Sequence, residues 1–320
     1  MNFTPNKLDR DATFYVAGHR GLVGSAIQRK LEAEGFSNIV GKTSQELDLK
    51  NRDAVFEYMK QIKPKYLVLA AAKVGGIMAN STYPVDFLSE NLRIQTNVLD
   101  AALENEVERV LFLGSSCIYP KFAPQPIKED SLMTGHLEET NDAYAIAKIA
   151  GILHTQAVRR QYGLPWISAM PTNLYGPNDN FSPQGSHVLP ALIRRYTEAK
   201  EQNLPSVTNW GSGNPRREFL HSDDMAEACL HLMEHYDGPE QVNVGTGQDQ
   251  TIKEIAQTIA EVTGYQGETL WDTTKPDGTP QKLLDVSKLT QSGWTAKISL
   301  RDGLERTVDW YYSNVAGIRN

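Results

Sequence analysis

The stretch FYVAGHRGLVGSAI, from Phe14 to Ile27, decides the fold. An apolar, β-prone run ends at Gly18, and Gly18, Gly21 and Gly24 then recur at G-x-x-G-x-x-G spacing as the chain enters a segment of helical periodicity. Strand, glycine turn and helix in that order open a βαβ unit. The glycines permit the tight turn and let a pyrophosphate approach the helix N-terminus. Val23, Ile27, Leu31 and Ala33 give the helix an apolar face, and Gly35 closes it as the C′ residue.

Outward from this turn, short β-branched or apolar runs alternate with amphipathic segments from Ala12 to about Pro171. The pattern predicts strands over residues 13–17, 38–40, 66–71, 109–114 and 166–170, with helices over 21–34, 85–103 and 141–162. The expected class is α/β, with a Rossmann-type doubly wound parallel sheet. Residues 1–171 are expected to form the nucleotide-cofactor domain, completed by parts of 218–246. Beyond Pro171 the alternation breaks, and Pro177, Pro183, Pro190, Pro205 and Pro215 punctuate shorter elements. Residues 172–320 are therefore expected to be mainly a smaller C-terminal α/β substrate-binding domain.

A net charge of -7 with no basic stripe argues against nucleic acid as a partner. The most apolar stretch, residues 66–78, is interrupted by Lys73 and too short to span a bilayer, so no membrane partner is expected. The opening segment has no apolar core of the kind a secretion signal carries, and a cytoplasmic location is expected. Cys117 and Cys229 lie far apart without C-x-x-C spacing, which supports neither a disulfide framework nor a metal site.

The second strand should end near Lys42, where a carboxylate would select the ribose 2′-hydroxyl of NAD and a cation would accept the 2′-phosphate of NADP. Lys42 stands there, and Arg20 in the glycine turn can add a charge-assisted hydrogen bond. Glu46 and Asp48 fall beyond the strand end, and Asp48 is assigned to the adenine amino group instead. NADPH is thus the expected cofactor.

Tyr144 and Lys148 form Y-x-x-x-K on the third predicted helix, one turn apart on one face. An ammonium beside a phenol favours phenolate, so Lys148 is expected to lower the Tyr144 pKa towards neutrality for acid–base work. The strand over 109–114 runs into Gly114, Ser115, Ser116 and Cys117, which brings hydroxyls to a strand C-terminus, where open α/β sheets bind ligands.

Glycine turn, strand-end serine and Y-x-x-x-K in this order resemble the short-chain dehydrogenase/reductase superfamily. The segments AGHRGLVGSAI, AAAKVGGIMAN, LFLGSSCIYP, YAIAKIAG, MPTNLYGP, NWGSGNPRREFLH, NVGTG and KPDGTPQKLLD narrow the resemblance to its extended members, the GDP-L-fucose synthase family. The resemblance spans Ala17 to Asp285. It implies 3,5-epimerisation of GDP-4-keto-6-deoxy-D-mannose followed by NADPH-dependent reduction at C4, in a homodimer.

Carried over residue by residue, the resemblance gives Ser115 the C4 carbonyl, Tyr144 the proton to its oxygen and Lys148 the nicotinamide ribose. It gives Cys117 the role of base at the epimerised carbons and His187 that of acid partner. The implied cofactor site joins Gly18, His19, Arg20, Gly21, Leu22, Val23 and Gly24 with Lys42, Asp48, Leu113, Gly114, Ser115, Ser116 and Lys148. Pro171, Thr172, Asn173, Leu174 and His187 complete it. Arg195, Trp210, Arg217 and Asp277 match substrate-binding positions, where guanidinium forks suit a diphosphate and an indole covers an apolar ring face. Arg216 and His221 receive no role. The same features leave two rival readings, a nucleotide-sugar 4-epimerase or dehydratase that retains NAD and a non-enzymatic NADP-binding redox sensor. Lys42 opposes the first, and the full set of Ser115, Tyr144 and Lys148 opposes the second.

Overall fold

A computed structural model describes Phe3 and residues 6–183, 185–275 and 277–314. The first half alternates β1 (Phe14–Ala17), α1 (Leu22–Ala33), β2 (Ile39–Val40), α2 (Arg52–Ile62), β3 (Tyr66–Leu69), α3 (Ile77–Thr82), α4 (Pro84–Glu104) and β4 (Arg109–Leu113). Then come α5 (Asp142–Tyr162), β5 (Ile167–Pro171), β6 (Asn173–Tyr175), α6 (Val188–Glu201), β7 (Ser206–Trp210), β8 (Arg216–His221) and α7 (Ser222–His235). The chain finishes with β9 (Val242–Val244), β10 (Asp249–Thr251), α8 (Ile252–Thr263), β11 (Glu268–Asp272), β12 (Gln281–Lys282), α9 (Ser287–Gln291) and α10 (Leu300–Asn314).

Six strands make a parallel sheet in the order β2, β1, β3, β4, β5, β9. Its central strands read FYVA, YLVL and RVLFL and are buried throughout, as strands covered on both faces must be. One face packs against α1 and α7, the other against α2, α4 and α5. Strand order reverses around β1, which leaves a crevice at the carboxyl ends of β1 and β3. Gly18 lies at that reversal with φ +90°, and a Cβ there would sit 2.7 Å from the Ala71 nitrogen. The third predicted strand ends at Leu69 rather than Ala71, because Ala70 and Ala71 leave the ladder where the glycine turn presses against them.

At Gly151 a Cβ would sit 2.2 Å from the Phe112 ring, so the bare backbone lets α5 lie close on β4. That approach carries Tyr144 and Lys148 over the strand end bearing Ser115.

The region after Pro171 is built around β8, which pairs with β6 and β12 in parallel and with β10 antiparallel. A third apolar core lies among α6, α8 and α10, with β7 and β11 paired beside it. Glu218 on β8 ties this sheet to the first. Its carboxylate is fully buried and accepts hydrogen bonds from the backbone nitrogens of Thr246 at 2.6 Å, Gly247 at 2.7 Å and Leu284 at 3.0 Å. Its carbonyl accepts from Asn173 Nδ2 at 2.8 Å and Thr172 Oγ1 at 3.3 Å. Burial pushes its pKa up while the backbone donors pull it down, and burial is the larger effect.

Glu218→Gln turns one acceptor into an amide donor facing N–H groups. It should cost about 1–3 kcal/mol, since buried donors lose their partner. Urea unfolding checks this as a lower midpoint at unchanged slope.

Candidate active site

The glycine turn leaves the N-terminus of α1 open. Gly21 caps it with no side-chain hydrogen bond, and no acidic residue occupies the first turn. The first backbone N–H groups are free for an anion, and the helix dipole favours one there. A Cβ on Gly24 would lie 2.1 Å from the Gly18 carbonyl oxygen, so only glycine allows the helix this near the turn. His19 packs on Gly41, where a Cβ would meet its ring at 2.5 Å, and its buried Nδ1 has no hydrogen-bond partner among the described residues. Burial, then the Arg20 charge, lowers the His19 pKa.

Arg20 and Lys42 are both exposed beside this turn. Lys42 follows β2 and pairs with Glu46 at 3.4 Å. The other Glu46 oxygen accepts from the Thr43 nitrogen and Oγ1, each at 2.8 Å, and these bonds hold its carboxyl down to about 2. Glu46 is thereby committed to its own turn. Asp48 is exposed, and one of its oxygens accepts from the Lys50 nitrogen at 3.0 Å. The turn and its cations fit a dinucleotide with an extra phosphate: open N–H groups, a glycine-only approach and two exposed cations converge there.

At the end of β4, Ser115 accepts from the Cys117 nitrogen at 3.3 Å and opens a short 3-10 turn. Tyr144 and Lys148 face it from α5. The Lys148 Nζ donates to the Leu113 carbonyl at 2.8 Å and lies 5.8 Å from the centre of the Tyr144 ring. Gly114 fits against Met170, whose Cε lies 2.3 Å from where a Cβ would stand, and Ser116 is buried behind it. Pro171 ends β5, while Thr172 and Asn173 are held by the Glu218 carbonyl and Leu174 pairs with Leu220.

The expected direction of the tyrosine shift is reversed. Burial raises the Tyr144 pKa, the nearby Cys117 adds to the rise, and a Ser115 hydrogen bond opposes it. The same burial pushes the Lys148 pKa down to about 8. Desolvation therefore disfavours phenolate more than the lysine, turned to the Leu113 carbonyl, favours it. A phenol that keeps its proton is a proton donor.

Cys117 is half-buried beside this pair. Its Sγ accepts from Asn141 Nδ2 at 3.5 Å and from Lys282 Nζ at 3.6 Å. His187 caps the N-terminus of α6 without using its side chain, and burial followed by the Lys282 charge lowers its pKa. Ser115, Cys117, Tyr144 and Lys148 therefore meet at the end of β4, whereas His187 is exposed at the start of α6 and is linked to them only through the Lys282 charge. Lys282 joins them unforeseen, because only the pairing of β12 with β8 brings it there.

Further out, Arg195 on α6 donates to Asn209 Oδ1 at 2.7 Å and the Thr208 carbonyl at 3.3 Å, which fixes its guanidinium. Trp210 is 63% exposed, with Lys275 Nζ 5.7 Å from its ring centre, so it is a surface platform rather than core. Arg217 is partly buried, and burial lowers its pKa. Asp277 accepts from the Ser212 nitrogen at 2.8 Å and Oγ at 2.7 Å, clipping two loops together, so both its oxygens already have a structural task. Arg216 pairs with Asp249 at 2.8 Å across β8 and β10. The buried His221 accepts from the Asp223 nitrogen at 3.2 Å as the cap of α7.

The chain belongs to the NAD dependent epimerase/dehydratase family, whose model matches residues 14–245. It is 61% identical over 307 residues to GDP-L-fucose synthase 1 of Arabidopsis thaliana, covering 96% of this chain and 95% of that one. It is 54% identical over 309 residues to GDP-L-fucose synthase of Escherichia coli (strain K12), covering 94% and 96%. Among solved structures, a GDP-L-fucose synthetase from Naegleria fowleri bound to NADP superposes with a TM-score of 0.93 at 28% identity, over 100% of this chain and 99% of that one.

With Lys148 at about 8, its ammonium is present below that pH and is lost as pH rises through it. Cofactor oxidation by substrate should fall over that limb, and Lys148→Arg should carry whatever activity remains to higher pH. A pH–rate profile measures both.

Proposed function

We infer that the protein makes GDP-L-fucose from GDP-4-keto-6-deoxy-D-mannose, epimerising C3 and C5 and reducing C4 with NADPH. The observation that carries this reading is the shared pocket. The Cys117 thiol stands beside a serine, tyrosine and lysine suited to a carbonyl, and Lys282, which contacts that thiol, also reaches the His187 imidazole with its charge.

In this reading Ser115 donates a hydrogen bond to O4, and that polarisation acidifies the C–H bonds at C3 and C5. Cys117 thiolate takes such a proton, and the C–H electron pair moves into an enolate with its charge on O4. His187 returns a proton to carbon on the opposite face, and the ketone reforms inverted. NADPH held at the glycine turn would supply the hydride for C4. Tyr144 gives its proton to O4, and the phenolate left behind is neutralised by the neighbouring Lys148 ammonium.

Arg20 and Lys42 take the 2′-phosphate, and Asp48 takes the adenine amino group. Arg195 and Arg217 take the substrate diphosphate, Trp210 covers a ring face, and Asp277 contributes mainly by holding the Ser212 loop. No helix among the described residues is long and apolar enough to cross a membrane, and we read the protein as cytoplasmic. We also read it as a homodimer through α4 and α5, because Ile146 at 49% and Leu153 at 39% exposure leave apolar surface on α5. Light scattering should give twice the mass of one chain.

Following reduced-cofactor absorbance with GDP-4-keto-6-deoxy-D-mannose tests the reaction. NADPH should be oxidised with kcat/KM at least about tenfold above NADH, because two cations face a bare hydroxyl in the second case. Lys42→Asp should shrink that ratio. Equal use of both cofactors removes the phosphate assignment, and no oxidation removes the reading.

A further inference from the structure

The segment from Lys73 to Thr82, which follows β3 and includes α3, has no part in the scheme above, yet it lies against the site on three sides. Gly75 packs on Phe87, where a Cβ would meet the ring at 3.0 Å, and the Phe87 ring meets that of Tyr144 edge-on with centres 6.4 Å apart. A Cβ on Gly76 would stand 3.0 Å from the carbonyl oxygen of Ser186, the residue before His187. Ser81 on α3 donates to the Thr140 carbonyl at 3.4 Å, and the next residue, Asn141, donates to Cys117 Sγ.

The outward surface of this segment is apolar. Val74, Ile77 and Met78 are 56%, 57% and 63% exposed, and Val188, beside His187, is 41% exposed. Ser81 stands four residues after Ile77 and three after Met78, so all three share one face of α3, and the Ser81 bond turns that face towards Thr140. Polar side chains of the segment are committed elsewhere. Asn80 is buried, with Nδ2 donating to the carbonyls of Gly75 at 2.8 Å and Gly76 at 3.0 Å. Thr82 Oγ1 donates to the Met78 carbonyl at 2.8 Å, and Lys73 Nζ pairs with Asp86 at 3.1 Å and Glu90 at 2.7 Å. Apolar side chains exposed singly are ordinary, whereas a group of them bordering a site marks a place where a ligand is covered.

We propose that Ile77 and Met78 form an apolar wall that receives the C6 methyl group of the sugar and selects 6-deoxy substrates. This rests on the substrate reading given above. The rest of that sugar nucleotide presents hydroxyls, a diphosphate and a polar base, so the methyl is its apolar extremity. It is bonded to C5, a carbon assigned to Cys117, and C5 adjoins C4, whose oxygen is assigned to Tyr144. The methyl therefore belongs beside the groups that α3 borders. Inversion at C5 swings it from one side of the ring to the other, and Met78, unbranched with three rotatable bonds, can follow it. A hydroxyl on C6 would give up water at this wall and gain no partner.

The test compares kcat/KM for NADPH oxidation with GDP-4-keto-6-deoxy-D-mannose and with GDP-4-keto-D-mannose, which carries that hydroxyl. The unmodified protein should favour the 6-deoxy sugar by about tenfold. Ile77→Ser combined with Met78→Ser changes only exposed side chains and should bring the ratio within about threefold, mainly through slower use of the 6-deoxy sugar. Met78→Leu should keep the tenfold preference. Equal use of both sugars by the unmodified protein overturns the wall, and so does a preference that survives in the double variant. If that surviving preference comes with half the mass by light scattering, the patch is a subunit contact instead. No oxidation with either sugar removes the reaction reading itself, and the wall with it.

Discussion

The buried carboxylate of Glu218 is the constraint through which the two halves of the molecule hold together. It gathers backbone donors from the chain after β9 and from the chain after β12, while its own carbonyl fixes Thr172 and Asn173 beyond β5. A buried charge survives only when its acceptor sites are filled, so these segments cannot drift independently. Gly245 belongs to the same device, since a Cβ there would lie 2.3 Å from Glu218 Oε1. The parallel sheet presents its cofactor crevice, and Glu218 sets the strand carrying Lys282 across from the serine turn of β4.

Within that frame, burial does most of the electrostatic work. It pushes the Tyr144 pKa up and draws that of Lys148 down to about 8. Two neighbouring groups that would each titrate near 10 in water are thus separated into a firm proton donor and a poised cation. Cys117 adjoins the same pair and also meets the Asn141 amide and Lys282, whose charge reaches His187 as well. In the proposed reaction one carbonyl serves both steps, because the groups assigned to carbon-bound protons differ from those assigned to oxygen.

The parallel sheet was legible in the sequence because its strands are continuous apolar runs and its first turn has three glycines that the geometry demands. Gly18 and Gly24 could not carry a side chain without striking backbone. Convergence of Ser115, Tyr144 and Lys148 was legible for a similar reason, since a strand end and one helical turn fix it locally. Lys282 was not, although its motif was in view. Its place depends on a two-residue strand pairing with a partner more than sixty residues earlier, and no local periodicity encodes that. The sign of the Tyr144 shift was misread because spacing reports which groups are neighbours and says nothing of how dry they are. The bonds from Ser212 to both Asp277 oxygens were likewise hidden, since they join loops 65 residues apart in the chain.

The central claim is that one pocket carries two separable sets of groups. The stereochemistry of the product made by Cys117→Ser tests it most directly, by NMR of the sugar released after complete NADPH consumption. Serine keeps the shape of the thiol and lacks its acidity, so hydride transfer should persist while inversion fails. The account predicts a 6-deoxyhexose that is not fully inverted at C3 and C5. A product with the complete L-fuco configuration, formed at the unmodified rate, would contradict it.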